Sequence, residues 1–121
     1  MIIGVPSEIK ANENRVSMTP YAIRTLVDDG HRVLIQNNAG VKSGFTNDEY
    51  TSNGAIIVGT MDEIYNDSEM IVKVKEPQES EISKIRDSQI IFTYFHFAAS
   101  KNLTESIMKS NCIAFAYETV Q

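Results

Sequence analysis

An open, mostly parallel, doubly wound α/β sheet, Rossmann-like or flavodoxin-like with three layers, is the fold class that the 121-residue sequence predicts. Three observations point to it. The apolar runs are short and rich in Ile and Val, helical-looking stretches separate them, and several runs lack polar alternation, as strands do when helices cover both faces of a sheet. No internal repeat, low-complexity tract or Pro/Gly/Ser-rich linker interrupts the chain, so residues 1–121 read as a single domain.

The first strand is expected over Met1 to Val5. Thr19-Pro20 then supplies an N-cap followed by proline at the first helical position, with Ile23, Leu26 and Val27 on one face and Gly30 as the C-terminal stop. A strand over His31 to Gln36 follows. Thr46-Asn47-Asp48-Glu49 fits the capping-box pattern and opens a short helix before a strand over Ala55 to Val58. Thr60-Met61-Asp62-Glu63 repeats the pattern before a strand over Met70 to Val74. Strands over Gln89 to Tyr94 and Cys112 to Tyr117 flank a helix over Asn102 to Lys109, where Leu103 and Ile107 lie four apart. No helix follows the last strand, so the sheet is expected to be incomplete at its C-terminus. Its open apolar face then implies more chain elsewhere, a partner chain or a truncated product.

The composition, 42% hydrophobic and 22% charged, excludes a disordered or fibrous chain. A net charge of −5 without any Lys/Arg cluster argues against nucleic acid or an anionic membrane as partner, because nothing opposes phosphate. Met1 runs directly into Ile2, Ile3, Gly4 and Val5 with neither a basic n-region nor a long apolar stretch, which predicts no leader, no membrane span and a cytoplasmic location. Cys112 is the single cysteine, so an intrachain disulfide and a multi-cysteine zinc site are impossible; Ile113, Ala114 and Phe115 beside it predict a buried small hydrophobe. The absence of G-x-G-x-x-G, Walker, H-E-x-x-H and EF-hand patterns predicts no cofactor-binding or metal site in this segment.

Ligands of an open parallel sheet sit outside the carboxyl ends of its strands. The first strand empties into a polar loop, Pro6 to Met18, that carries Arg15; the fourth ends at Lys75-Glu76-Pro77; the fifth ends at His96. A parallel sheet brings all three to one rim. Arg15 offers a planar fork that matches a carboxylate, Lys75 a compact charge for a carbonyl oxygen or carboxylate, and His96 a group that takes and returns protons near neutrality. Together they suit a small 2-oxo or 2-amino acid. Plainer readings stand beside these: Arg15 as a surface ion pair with Glu8 or Glu13, Lys73 and Lys75 as the solvent side of an edge strand, and His96 as a hydrogen-bonded structural residue between Phe95 and Phe97. His31 falls at the wrong end of the sheet and is expected to be structural.

Five ordered stretches carry a resemblance. They are Ile3-Gly4-Val5-Pro6-Ser7-Glu8-Ile9-Lys10 continuing through Glu13-Asn14-Arg15-Val16 to Thr19-Pro20; Ala39-Gly40 with Ser43-Gly44-Phe45; Lys73-Val74-Lys75-Glu76-Pro77; Phe92-Thr93-Tyr94-Phe95-His96-Phe97-Ala98-Ala99; and Ala116-Tyr117-Glu118-Thr119-Val120. This series resembles the N-terminal part of the alanine dehydrogenase and proton-translocating transhydrogenase families. Lys75 and His96 tilt the resemblance toward alanine dehydrogenase, since transhydrogenase alpha-subunit N-terminal domains typically lack both.

That resemblance implies reversible NAD-dependent oxidative deamination of L-alanine to pyruvate and ammonia. Arg15 and Lys75 would bind the carboxylate and carbonyl region of the substrate, His96 would donate and accept the proton, and Glu13 is a candidate for orienting Arg15 or Lys75. In the family the substrate-binding segment leads into a separate NAD domain, and complete enzymes assemble as homo-oligomers, commonly hexamers. Residues 1–121 therefore correspond to the N-terminal substrate-binding segment with the NAD domain absent, expected to be inactive alone. A small-acid binding module without chemistry and an inactive remnant are the alternatives.

Overall fold

The computed structural model describes residues 1–94 and 109–116. Six strands form one sheet: β1 (Ile2–Val5), β2 (Arg32–Gln36), β3 (Ile56–Val58), β4 (Met70–Lys75), β5 (Ile90–Tyr94) and β6 (Ile113–Ala116). Their order is β3-β2-β1-β4-β5-β6, and every pair is parallel. The chain starts in the middle, steps outward to β3, then returns to the other side of β1 to lay down β4, β5 and β6. The order thus reverses between β1 and β4, where the two connections leave in opposite directions and open a crevice at the carboxyl ends.

The helices between the strands are α1 (Pro20–Asp28), α2 (Asn47–Ser52), α3 (Met61–Asp67) and the single turn α4 (Glu79–Ile82). Helix α1 begins as the sequence indicates: the Thr19 side chain accepts from the Ala22 N–H and Pro20 occupies the first turn. It ends in a Schellman arrangement, with Gly30 at φ +95° donating to the Val27 carbonyl and His31 donating to that of Leu26. Helix α2 carries the full capping box of Thr46 and Glu49. In α3 the Thr60 hydroxyl accepts from the Glu63 N–H, while the Glu63 carboxylate takes the Thr60 hydroxyl rather than completing the box to its backbone. The expected helix over Asn102 to Lys109 lies outside the described residues except for Lys109, which is helical.

Successive strand residues alternate between two buried layers. Ile3, Val5, Val33, Ile35 and Val72 pack with Ile23 of α1 and Tyr50 of α2. Leu34, Ile71 and Ile91 face the other way, onto Ile64 and Tyr65 of α3, with Ile82 of α4 alongside. Apolar residues at both parities are what a strand needs when helices cover both faces. Cys112 is half-buried against the second layer rather than fully enclosed. On the edge strand β6, Ile113 is 48% exposed, so apolar surface is open there.

The edge-strand reading of Lys73 and Lys75 is overturned. Strand β4 lies between β1 and β5, and the Lys73 side chain is 1% exposed. The strand is also bulged: Val72 pairs with Phe92 but Lys75 pairs with Tyr94, so three steps along β4 match two along β5.

Helix α3 approaches β1 closely because Gly4 has no side chain. A Cβ there would lie 2.1 Å from the Ser68 hydroxyl oxygen and 3.0 Å from Ile64 Cγ2. Gly4→Ala is expected to destabilise the fold by about 1–3 kcal/mol through overpacking, and adding Ser68→Gly to recover part of the loss. Thermal unfolding of the two variants checks this; a Gly4→Ala protein as stable as the parent would contradict the close approach.

Candidate functional site at the strand-order reversal

The loop from Pro6 to Met18 leaves β1 and crosses the carboxyl end of β4, to which it is tied at three points. The Ser17 hydroxyl donates to the Val72 carbonyl at 2.8 Å. The Glu8 carboxylate accepts from the backbone N–H groups of Val74 and Lys75, both at 3.0 Å, and pairs with the Lys73 ammonium at 3.3 Å. Lys10 forms an ion pair with Glu76. From behind, the buried Tyr50 hydroxyl donates to the Met18 carbonyl at 2.8 Å and the Ser43 hydroxyl donates to the Asn14 carbonyl at 2.7 Å. Burial pushes the Tyr50 phenol up to about 12, so it remains a donor.

Within this loop, Arg15 and Glu13 form a two-pronged pair. Arg15 Nε donates to Glu13 Oε2 at 3.0 Å and Nη2 to Oε1 at 2.9 Å, while the Arg15 backbone N–H also reaches Oε2 at 2.9 Å. The Glu13 side chain is 6% exposed and that of Arg15 67% exposed, so the carboxylate is a buried foot under an open guanidinium. One edge of the guanidinium is used. Nη1 and the outer Nη2 proton face outward with the geometry to grip a second carboxylate.

The Arg15 side-chain hydrogen bonds, its backbone N–H, and the charges of Arg15 and Lys75 together outweigh burial and hold the Glu13 carboxyl down at about 2. Half-buried Lys75 closes β4 at the rim that the Arg15 loop crosses, and its backbone N–H is bonded to Glu8 of that loop. His96 lies outside the described residues. His31, at the amino end of β2, has Nδ1 3.3 Å from the N-terminal amine, far from this rim.

What the sequence did not single out lies beneath. Lys73 pairs with Glu81 at 2.9 Å as well as with Glu8, and the Tyr65 hydroxyl donates to Glu81 at 3.2 Å. All of these side chains lie in the interior: Lys73 is 1% exposed, Glu8 2% and Glu81 0%, and Tyr65 is buried. Glu8 follows the first strand directly, so the strand-end rule that picked out Arg15 also covers it. Among the described residues no group of His, Cys, Asp and Glu is arranged to hold a metal ion. The site does not fit a dinucleotide either: acidic Glu8 and Glu13 stand where a pyrophosphate needs backbone donors and glycines.

Because Glu13 is ionised more readily in the folded state, its contribution to stability is present above its unfolded value of about 4.5 and is lost as pH falls toward about 2. Glu13→Gln is expected to lower Tm at neutral pH by up to about 5 °C, with the gap to the parent closing between pH 4.5 and pH 2. Thermal melts of both proteins across that range provide the check, and a gap independent of pH would contradict the pairing.

Residues 4–121 match the family model described as alanine dehydrogenase/PNT, N-terminal domain. An alanine dehydrogenase of Methanococcus maripaludis is 46% identical over 121 residues, covering all of this chain and 32% of that protein. One of Bacillus subtilis is 47% identical over 120 residues, covering 99% and 32%. A solved L-alanine dehydrogenase superposes with TM-score 0.97 at 45% identity over the whole chain and 33% of its own. A transhydrogenase from Sinorhizobium meliloti gives TM-score 0.91 at 23% identity, covering 98% of this chain and 35% of its own, and so shares the fold. The chain thus spans about a third of the length of these relatives. With the model match running over nearly its whole length, the chain belongs to the family of alanine dehydrogenase/PNT N-terminal domains.

Proposed function

We propose that this domain supplies the substrate-binding half of an NAD-dependent L-alanine dehydrogenase, which converts L-alanine, NAD⁺ and water reversibly to pyruvate, ammonium, NADH and a proton. The observation that carries the reading is the Arg15 guanidinium, held along one edge by buried Glu13 and open along the other, on a loop that Glu8 ties to Lys75 at the carboxyl end of β4. Arg15 grips the substrate carboxylate with the guanidinium edge that Glu13 leaves open, and Glu13 fixes the angle of that edge. Lys75 donates to the oxygen at C2 of pyruvate, and its charge favours the electron-rich form of that oxygen. His96 takes a proton as the amine is oxidised and returns it in the reverse direction. NAD would supply the hydride acceptor from a part of the protein other than these residues, a reading supported by the misfit of the acidic rim to a pyrophosphate.

Substrate and cofactor carbons must meet in near-attack geometry for hydride transfer, so the 121-residue chain alone is expected to bind pyruvate without oxidising alanine. In amide NMR titrations, pyruvate should shift resonances around Arg15 and Lys75, and Arg15→Ala should weaken binding by about tenfold or more. Binding without turnover is also what a small-acid module would show. The two readings separate in a chimera in which this chain replaces the corresponding residues of a full-length relative. There His96→Ala is expected to lower kcat by about 10²–10⁴-fold. A chimera that binds pyruvate but never reduces NAD⁺ would favour the module, and NADH formation by the isolated chain would contradict the division of labour.

A further inference from the structure

We infer that Glu8 is a positioning residue, whose carboxylate holds the bulge in β4 that sends Lys73 into the core and turns Lys75 to the opposite face at the rim. The inference rests on the reading of Lys75 as a substrate-binding residue and explains how one strand serves both lysines. In an unbulged strand, residues 73 and 75 stand two apart and share a face. Both would then be buried, or both would face the opposite layer. Here Lys73 is 1% exposed and pairs with Glu8 and Glu81, whereas Lys75 is half-buried and, paired with Tyr94 as Val72 is with Phe92, falls on the face of Val72. The extra residue between Val72 and Lys75 breaks the shared parity.

A bulge leaves backbone N–H groups that the ladder no longer serves, and in this interior each requires an acceptor. Successive N–H groups of a regular strand point to opposite neighbours. Those of Val74 and Lys75 instead both point to Glu8, which accepts them at 3.0 Å on its two oxygens. Strand β1 offers no alternative, since its pairing with β4 stops at Gly4↔Ile71. On the other side, the Thr93 hydroxyl donates to the Lys75 carbonyl at 2.7 Å, which holds the far edge of the same residue. The third donor on Glu8 is the Lys73 ammonium, so one carboxylate secures both the bulge and the lysine it turns inward. A glutamine cannot replace it, because its NH₂ would meet donors where the bulge needs an acceptor.

The test uses the 121-residue chain and two variants, Glu8→Gln and the double variant Glu8→Gln/Lys73→Met, which removes the Glu8–Lys73 pair together and leaves Glu81 its Tyr65 and Gln78 donors, in case the single change prevents folding. Amide hydrogen exchange is read first. Exchange at Val74 and Lys75 should accelerate by about tenfold or more relative to Ile71 and Val72, as expected for loss of hydrogen bonds to a charged acceptor. Pyruvate titration is read second: binding should weaken by about tenfold, and this loss should vanish when Lys75→Ala is already present. A general structural defect would persist in that background and would overturn the inference, as would unchanged exchange at Val74 and Lys75. If Lys75→Ala and Arg15→Ala leave pyruvate binding untouched, the substrate-site reading fails by itself, and the exchange result still decides whether Glu8 holds the bulge.

Discussion

An ammonium group in the dry middle of a three-layer sheet has to be answered by carboxylates, and the arrangement around Lys73 follows from that requirement. Glu8 comes from the loop after β1, Glu81 from α4, and the Tyr65 hydroxyl that supports Glu81 from α3, so three separate elements close on one charge. Tyr65 keeps its proton because burial, then the neighbouring Glu81 charge, hold its phenol well above the ordinary range. Glu81 also accepts from the Gln78 backbone N–H at 2.7 Å, which closes the capping box of the one-turn helix α4. Removing one member of such a set typically costs about 3–5 kcal/mol, a large part of the roughly 5–15 kcal/mol by which a domain is stable. The charge network therefore constrains how the two halves of the sheet meet at the reversal of strand order.

Toward solvent, the same crevice alternates in sign. Buried Glu8 lies under the bulge, buried Glu13 under Arg15, and the cations Lys75 and Arg15 form the outer layer. Arg15 stands on a buried carboxylate along one edge only, so its charge is anchored without being fully used. On the proposed function, a small acid would meet an organised positive edge at little cost in side-chain ordering. The ties from the loop to β4, through Ser17, Glu8 and Lys10, keep Arg15 and Lys75 in one frame although sixty positions separate them in sequence.

Much of this was legible in the residues. Six strands, the Thr19 cap, the Gly30 stop and the capping box at Thr46 rest on local chemistry, and they stand where that chemistry puts them. The rule about strand ends put the Arg15 loop and the end of β4 at one rim, and the parallel sheet and the Glu8 ties to Val74 and Lys75 have that arrangement. The bulge did not follow, because Lys73-Val74-Lys75 has the strict alternation of a solvent-facing strand and holds neither glycine nor proline to mark an irregularity. Its stabiliser is Glu8, far away in sequence, so the signal is tertiary and a local reading necessarily misses it. Helix α4 was missed for a similar reason: four residues are too few for periodicity, and the turn depends on a carboxylate held by Lys73. His96, the third expected site residue, lies outside the described residues.

The strand order found here is the one that elsewhere accommodates a dinucleotide at the same crevice, and the contrast shows how little the topology dictates about the ligand. A dinucleotide site works through backbone: a short glycine-rich turn lets the pyrophosphate approach the N–H groups of the first helix. In this chain the first connection is the long acidic loop from Pro6 to Met18, and the first N–H groups of α1 lie behind Pro20 and the capping hydroxyl of Thr19. The positive potential of the crevice has moved from backbone to side chains. Side-chain cations are discrete point donors, which under the proposed function would suit a carboxylate and a neighbouring oxygen on a small acid better than the spread of a diphosphate. Because β4 is bulged, the covalently short step from Lys73 to Lys75 separates a residue that holds the fold together from one that, on the proposed function, would meet the ligand.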